Sequence, residues 1–183
     1  MPKNVLLILA EGFEDVEAVT AVDVLRRAGV SVTTAGLSEG LVTGSRGTRV
    51  SPDETLEKAK GGEYDALVLP GGGKGADNLA ASPVVRDLIL KFHKAGKVVA
   101  AICAAPAVVL APVGILEGKK VTGFPGTEGG FPSSSVVSTD PVVVDGNLIT
   151  SRALGTALAF SLALAEKLVG RETSEKVRRS VLG

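Results

Sequence analysis

The sequence predicts an α/β fold in which a mainly parallel sheet lies between layers of helices. Three observations carry this. Continuous apolar runs of strand length recur at Lys3–Leu9, Asp65–Leu69 and Lys97–Ile102, as expected of strands covered on both faces. Segments of helical period follow them. Glycines stand where those helices should stop, at Gly29, Gly96 and Gly170. Strands alternating with helices imply right-handed crossovers and a sheet with helices on both sides.

Taken in order, Lys3–Leu9 is the first strand. Glu14–Ala28 is a helix, with Val16, Val19, Val22, Leu25 and Ala28 at helical spacing. Val30–Ala35 alternates and reads as the second strand. Residues 38–52 are rich in Gly and Ser and suit a small hairpin. Pro52–Lys60 reads as a short helix, and Asp65–Leu69 as a buried strand closed by Pro70 and three glycines. Pro83–Ala95 is helical, Lys97–Ile102 the next strand and Ala104–Val113 the next helix. Residues 114–138 lack periodicity and read as loops with one short strand near Val121. Pro141–Val144 and Leu148–Ser151 flank Asp145-Gly146-Asn147, a hairpin signal. Ala153–Val169 is a long apolar helix, and Thr173–Ser180 a charged terminal one. No internal repeat or linker interrupts residues 1–183, so one domain is expected.

Lys plus Arg and Asp plus Glu number 20 each, so the formal net charge is zero. That balance argues against a nucleic-acid partner. One cysteine cannot form an internal disulfide, and with a single histidine, His93, no soft-metal site is expected. Both facts fit a reducing cytoplasm. The N-terminal stretch reads as a strand rather than a signal peptide. The longest apolar run, 98–113, is broken by Pro106 and Pro112, so no membrane span is expected.

In sheets of this kind ligands sit outside the carboxyl ends of the strands. Three segments lie there: Glu11–Glu17, Pro70–Asn78 and the surroundings of Cys103. Cys103 stands where a strand gives way to a helix, flanked by Ala100, Ala101, Ala104 and Ala105. Such an elbow lifts a nucleophile off the sheet, and its tightness demands small neighbours. The following helix would aim N–H groups at the sulfur and favour the thiolate. A buried packing cysteine fits the position equally well. Glu14 and Asp15 suit a helix N-terminus, where acids are favoured. Glu17 is turned away from Val16 and Val19. It reads as a carboxyl pointing over the sheet end, where desolvation would raise its pKa and suit it to moving protons.

Gly71, Gly73 and Ala76 match the GxGxxA form of a dinucleotide loop. However, no acid follows the next strand to hold a ribose, and Gly75 stands where a Walker loop needs Ser or Thr after Lys74. The alternative is an oxyanion hole made by the Gly72 and Ala104 N–H groups; a plain glycine turn also fits. His93, flanked by Lys91 and Lys94, reads as a surface residue rather than a catalytic base.

These segments together resemble the DJ-1/ThiJ/PfpI superfamily, in particular its DJ-1/YajL-like branch. The resemblance lies in VDVLRRAG at 22–29, YD at 64–65, LPGG at 69–72, AAICAAP at 100–106, TSR at 150–152 and GT at 155–156. It implies a flavodoxin-like three-layer sandwich with a cysteine nucleophile elbow, assembled as a homodimer. It also implies a nucleophilic Cys103 hydrogen-bonded by a protonated Glu17, oxyanion donors at Gly72 and Ala104, and two arginines, Arg27 and Arg46, near the site and dimer interface. The implied activity is cofactor-free conversion of methylglyoxal or glyoxal to lactate or glycolate, with removal of early glycation adducts from proteins. The alternative is a stress-responsive redox sensor or chaperone acting through oxidation of Cys103. Three departures stand out. Gly123-Phe124-Pro125 occupies the place of a Thr-His-Pro stretch in DJ-1. Ala104 follows the cysteine where the peptidase-like relatives have histidine, which argues against peptidase activity. Gly44 and Ser51 stand where animal members have further cysteines.

Overall fold

The computed structural model describes residues 3–183. The chain begins with β1 (Asn4–Leu9), α1 (Asp15–Arg27) and β2 (Ser31–Gly36). A small hairpin, β3 (Val42–Thr43) and β4 (Arg49–Val50), leads to β5 (Glu54–Thr55) and the one-turn α2 (Leu56–Ala59). Then come β6 (Ala66–Leu69), α3 (Gly73–Ala80), α4 (Pro83–Lys94) and β7 (Val98–Ile102). The second half adds β8 (Lys120–Val121), β9 (Val136–Val137), β10 (Val142–Asp145), β11 (Leu148–Ser151), α5 (Ala157–Val169) and α6 (Arg171–Ser180).

The central sheet has seven strands in the order β10-β11-β7-β6-β1-β2-β5. All neighbours are parallel except β10 and β11, which form the predicted hairpin. Both faces are covered, which is why β1, β6 and β7 are apolar throughout. Leu6, Ile8, Leu67, Leu69, Val99 and Ala101 face the layer of α3 and α4. Val5, Leu7, Leu9, Val68, Ala100 and Ile102 face α1 and α5, where Leu25, Phe160 and Leu164 close the core. The small residues at Ala66, Ala100 and Ala101 leave room for the larger side chains of those helices.

Helix ends follow their chemistry. Ser82 caps α4 by accepting the Val85 N–H at 3.4 Å, with Pro83 at its first position. Gly96, at φ +65°, ends the same helix, and its N–H bonds the His93 carbonyl.

Several elements differ from the pattern read from sequence, among them α3, which the glycine-rich stretch after β6 did not announce. Val16 and Val19 are 46 % and 51 % exposed, and the inward face of α1 is instead Glu17, Ala18, Ala21, Val24 and Leu25. The helix packs by its small residues, so its β-branched stripe faces outward. The segment after Cys103 is not an α-helix. Pro106–Leu110 is one turn of π-helix and Ala111–Val113 a 3-10 turn, as suits a stretch with Pro106 and Pro112 near its two ends. Within 52–60, Glu54–Thr55 forms an edge strand against Ala35 and Gly36 before the helical turn. Val136–Val137 adds a second strand beside the one near Val121. Two-residue pairings carry too little periodicity to be read in advance. No helix among the described residues is long and apolar enough to cross a membrane.

Candidate active site

Strands β1, β6 and β7 lie side by side in the sheet and end together. Their carboxyl ends deliver the three segments singled out above to one place. Cys103 follows β7 directly, with φ +65°, a left-handed conformation that is costly for a residue with a side chain. Its backbone is held from both sides. Its N–H donates to the Ser151 carbonyl at 3.0 Å, and its carbonyl accepts the Phe124 N–H at 2.8 Å. The turn is the predicted elbow, and the thiol is half-buried.

Glu17 is 1 % exposed, in the first turns of α1. One carboxyl oxygen, Oε2, accepts the Gly71 N–H at 2.8 Å. The other, Oε1, is buried without a hydrogen-bond partner among the described residues. The carboxyl and the Cys103 thiol lie on either side of Gly71, close enough for each to shift the other's pKa. Gly71 makes this approach possible. A Cβ there would lie 2.5 Å from the Cys103 Cβ, 2.8 Å from Glu17 Oε2 and 2.9 Å from the Ile102 carbonyl. Sequence reading assigned Gly71 only to a glycine motif. Its spatial role is to be thin where acid and thiol meet.

Two of the remaining glycines serve contact within the chain, while Gly73 faces open space. Gly72, at φ +89°, and Gly75 press on the turn at Gly12–Glu14, where a Cβ at either position would strike backbone. The Glu14 N–H bonds the Gly71 carbonyl at 2.9 Å, and the Gly75 N–H bonds the Gly12 carbonyl at 3.2 Å. The glycine loop is thus packed against the end of β1.

Burial, above all, pushes the Glu17 carboxyl up to about 7; the Gly71 N–H and the Cys103 thiol oppose this, and the charge of Glu14 adds to it. Burial and then the charge of Glu17 push the Cys103 thiol up to about 12, against the Gly72 and Ala104 backbone amides that pull it down. The two groups titrate as a pair. Burial and mutual repulsion both oppose ionising the two groups together. Across neutral and mildly alkaline pH the pocket therefore holds one proton. The donors decide where it sits. Two amides serve the sulfur, while Oε1 has no donor, so a proton on Oε1 relieves an unsatisfied buried acceptor and leaves the thiolate supported. The segment behind Cys103 is not the α-helix expected from sequence, and the groups that lower the pKa of its sulfur are the Gly72 and Ala104 backbone amides.

The other acids at the end of β1 hold the β3–β4 hairpin. Glu11 Oε2 accepts the Thr43 N–H at 2.8 Å. Glu14 Oε2 accepts the Ser45 hydroxyl at 2.8 Å. Asp15 accepts the Arg46 and Thr48 N–H groups at 3.0 and 3.1 Å. Glu14 and Asp15 also stand at the N-terminus of α1, as expected from sequence, although the Glu14 side chain makes no capping bond. Arg46 therefore sits at the hairpin tip, tied by its backbone to the turn that carries Glu17. Arg27 lies at the far end of α1, ten residues or ~15 Å from Glu17 along the helix axis, and pairs with Asp23 at 2.6 Å. Within one chain it is not brought to the thiol. His93 is exposed on α4. The described residues contain no cluster of three or more His, Cys, Asp or Glu side chains placed to hold a metal ion.

Comparison with known proteins agrees with this architecture. The model of the DJ-1/PfpI family matches residues 3–167. Protein dj-1beta of Drosophila melanogaster is 44 % identical over 184 residues, covering 100 % of this chain and 98 % of its own. Its crystal structure superposes with a TM-score of 0.95 over 100 % of this chain and 98 % of that one. The glutathione-independent glyoxalase DJR-1.2 of Caenorhabditis elegans is 35 % identical, covering 96 % of this chain and 94 % of its own. The structure of oxidized Toxoplasma gondii DJ-1 is 34 % identical, with a TM-score of 0.95 and 98 % of each chain covered. With the elbow, the buried glutamate and the sheet order all in place, the chain belongs to the DJ-1/PfpI family.

Proposed function

We propose that the chain is a cofactor-independent, cysteine-dependent glyoxalase acting on methylglyoxal and glyoxal, with early glycation adducts on proteins as related substrates. The observation that carries this reading is the Glu17–Cys103 pair, which holds one proton beside a nucleophile under two backbone donors. The glyoxalase named among the relatives supports it.

The chemistry needs only these groups and water. The Cys103 thiolate adds to the aldehyde carbon, and a C–S bond forms as the carbonyl π pair moves to oxygen. The Gly72 and Ala104 N–H groups receive that oxyanion. Glu17 supplies a proton to it, and the resulting carboxylate takes the proton from the former aldehyde carbon and passes it to the neighbouring carbonyl oxygen, giving an enediol. The carboxylate then takes the proton from the hydroxyl on the sulfur-bearing carbon and delivers it to the neighbouring carbon, leaving a thioester. Water then breaks the C–S bond, releasing the 2-hydroxy acid and the thiol. Every proton passes through Glu17, so the acid must alternate between its two states near neutral pH, where burial has placed it.

A homodimer is proposed on the exposed apolar stripe of α1, Val16 and Val19, which the chain leaves uncovered. A second reading, oxidative-stress sensing through oxidation of Cys103, is favoured by the half-buried lone thiol beside a carboxyl oxygen without a hydrogen-bond partner. Two equivalents of peroxide would convert the thiolate to a sulfinate and release two of water, and the Glu17 proton would hydrogen-bond the product.

Purified protein given methylglyoxal is expected to form lactate, with Cys103→Ala inactive and Glu17→Gln slowed by about 10²- to 10⁴-fold. Equal lactate production by wild type and Cys103→Ala would remove the mechanism. Mild peroxide is expected to add two oxygens to the wild type and none to Cys103→Ala; an unmodified wild-type mass would dismiss the sensing role. Light scattering is expected to give twice the chain mass, and a single-chain mass would contradict the dimer.

A further inference from the structure

The loop after β8 carries a feature that this chemistry leaves unused. The chain has five phenylalanines. Phe13, Phe92, Phe131 and Phe160 are exposed by 9 % or less, whereas Phe124 is 45 % exposed. A single exposed ring is ordinary on a protein surface. What sets this one apart is how its backbone is fixed. The Phe124 N–H is the donor to the Cys103 carbonyl, at 2.8 Å. Its own carbonyl accepts the Thr127 hydroxyl at 2.7 Å and the Thr127 N–H at 3.1 Å. Pro125 follows and restricts Phe124 to extended backbone. Gly123 precedes it, where a Cβ would lie 3.0 Å from the Phe131 ring and 3.3 Å from the Cys103 carbonyl oxygen. The small residue lets the loop seat on the elbow. The exposed ring is thereby anchored to the backbone of the nucleophile itself. Gly71, Gly72 and Ala104, which border the Glu17 carboxyl and the Cys103 sulfur, bring no bulk of their own.

We infer that Phe124 is a specificity-determining residue, an apolar wall beside Cys103 that favours 2-oxoaldehydes bearing an aryl group over methylglyoxal and glyoxal. The substrate class rests on the glyoxalase reading; the wall rests on the Cys103–Phe124 geometry. A hydrogen or methyl substituent covers little of the ring, whereas a phenyl substituent buries it and gains ring-to-ring contact. The reaction is otherwise the same. Sulfur bonds the aldehyde carbon, a proton moves to the carbon bearing the aryl group, and water cleaves the C–S bond to give the 2-aryl-2-hydroxy acid. No oxidant or reductant enters.

The test has two arms, each comparing wild type with Phe124→Ala, Phe124→Leu and Phe124→Tyr. The first takes initial rates with phenylglyoxal and methylglyoxal and forms the ratio of kcat/KM. The second measures alkylation of Cys103, the only thiol, by phenacyl bromide and bromoacetone, each normalised to its rate with N-acetylcysteine. In both arms the aryl-to-methyl ratio is expected to fall about two- to tenfold in Phe124→Ala and Phe124→Leu, and to be kept in Phe124→Tyr. A fall in the alkylation ratio without turnover of either aldehyde would uphold the wall and remove the glyoxalase reading. Turnover with both ratios unchanged in Phe124→Ala would overturn the wall and leave the glyoxalase reading standing. Equal slowing towards both reagents would also overturn it, because Phe124 would then act only through the Cys103 backbone.

Discussion

The constraint on which the site depends is that Glu17 and Cys103 cannot both be charged. They meet across Gly71 in a pocket where burial alone disfavours either anion. One proton therefore serves two groups, and the backbone donors around them set its place. Gly71 gives one N–H to the carboxyl, while Gly72 and Ala104 give theirs to the sulfur. In the proposed chemistry this arrangement lets a single carboxyl take the part of a histidine base. It also gives the burial of the glutamate a reason. An exposed carboxyl would keep its ordinary pKa and would lose the proton that the proposed chemistry has it donate.

The scaffold meets this constraint through the ends of three adjacent strands. β7 supplies the elbow and β6 the glycines, while β1 feeds the turn into α1 that carries Glu17. The cost of the left-handed Cys103 is met by bonds to its backbone from Ser151 on one side and Phe124 on the other. Glu11, Glu14 and Asp15 fix the hairpin to the turn at the end of β1, and that turn locks into the glycine loop through Gly12 and Glu14. Four acids crowd one short segment, yet they divide cleanly. Three accept donors from the hairpin, and only Glu17 turns inward.

Much of this was legible in the sequence, for identifiable reasons. Uninterrupted apolar runs marked the doubly covered strands, and the alanines around Cys103 marked a tight elbow. Glu17 was singled out by its angle to Val16 and Val19, although that stripe proved to face outward. The conclusion held because a position set apart from the stripe is the one that points in. What sequence could not supply were contacts between distant segments. Asp15 reads as a helix-start acid until Arg46 and Thr48 are seen to donate to it. Gly71 reads as one of three similar glycines until Cys103 and Glu17 are seen on either side. Phe124 reads as a substitution for a family histidine, and its tie to the Cys103 carbonyl appears only in three dimensions.

The account stands most directly on the shared proton, and the pH profile of Cys103 alkylation reads it. In the wild type the rate should rise with a midpoint near 7, as the pair loses its first proton. In Glu17→Gln the thiol titrates alone in a buried setting, and the midpoint should move up to or beyond the ordinary thiol value of about 8.5. A profile that is the same in both proteins would contradict the coupling of Glu17 to Cys103.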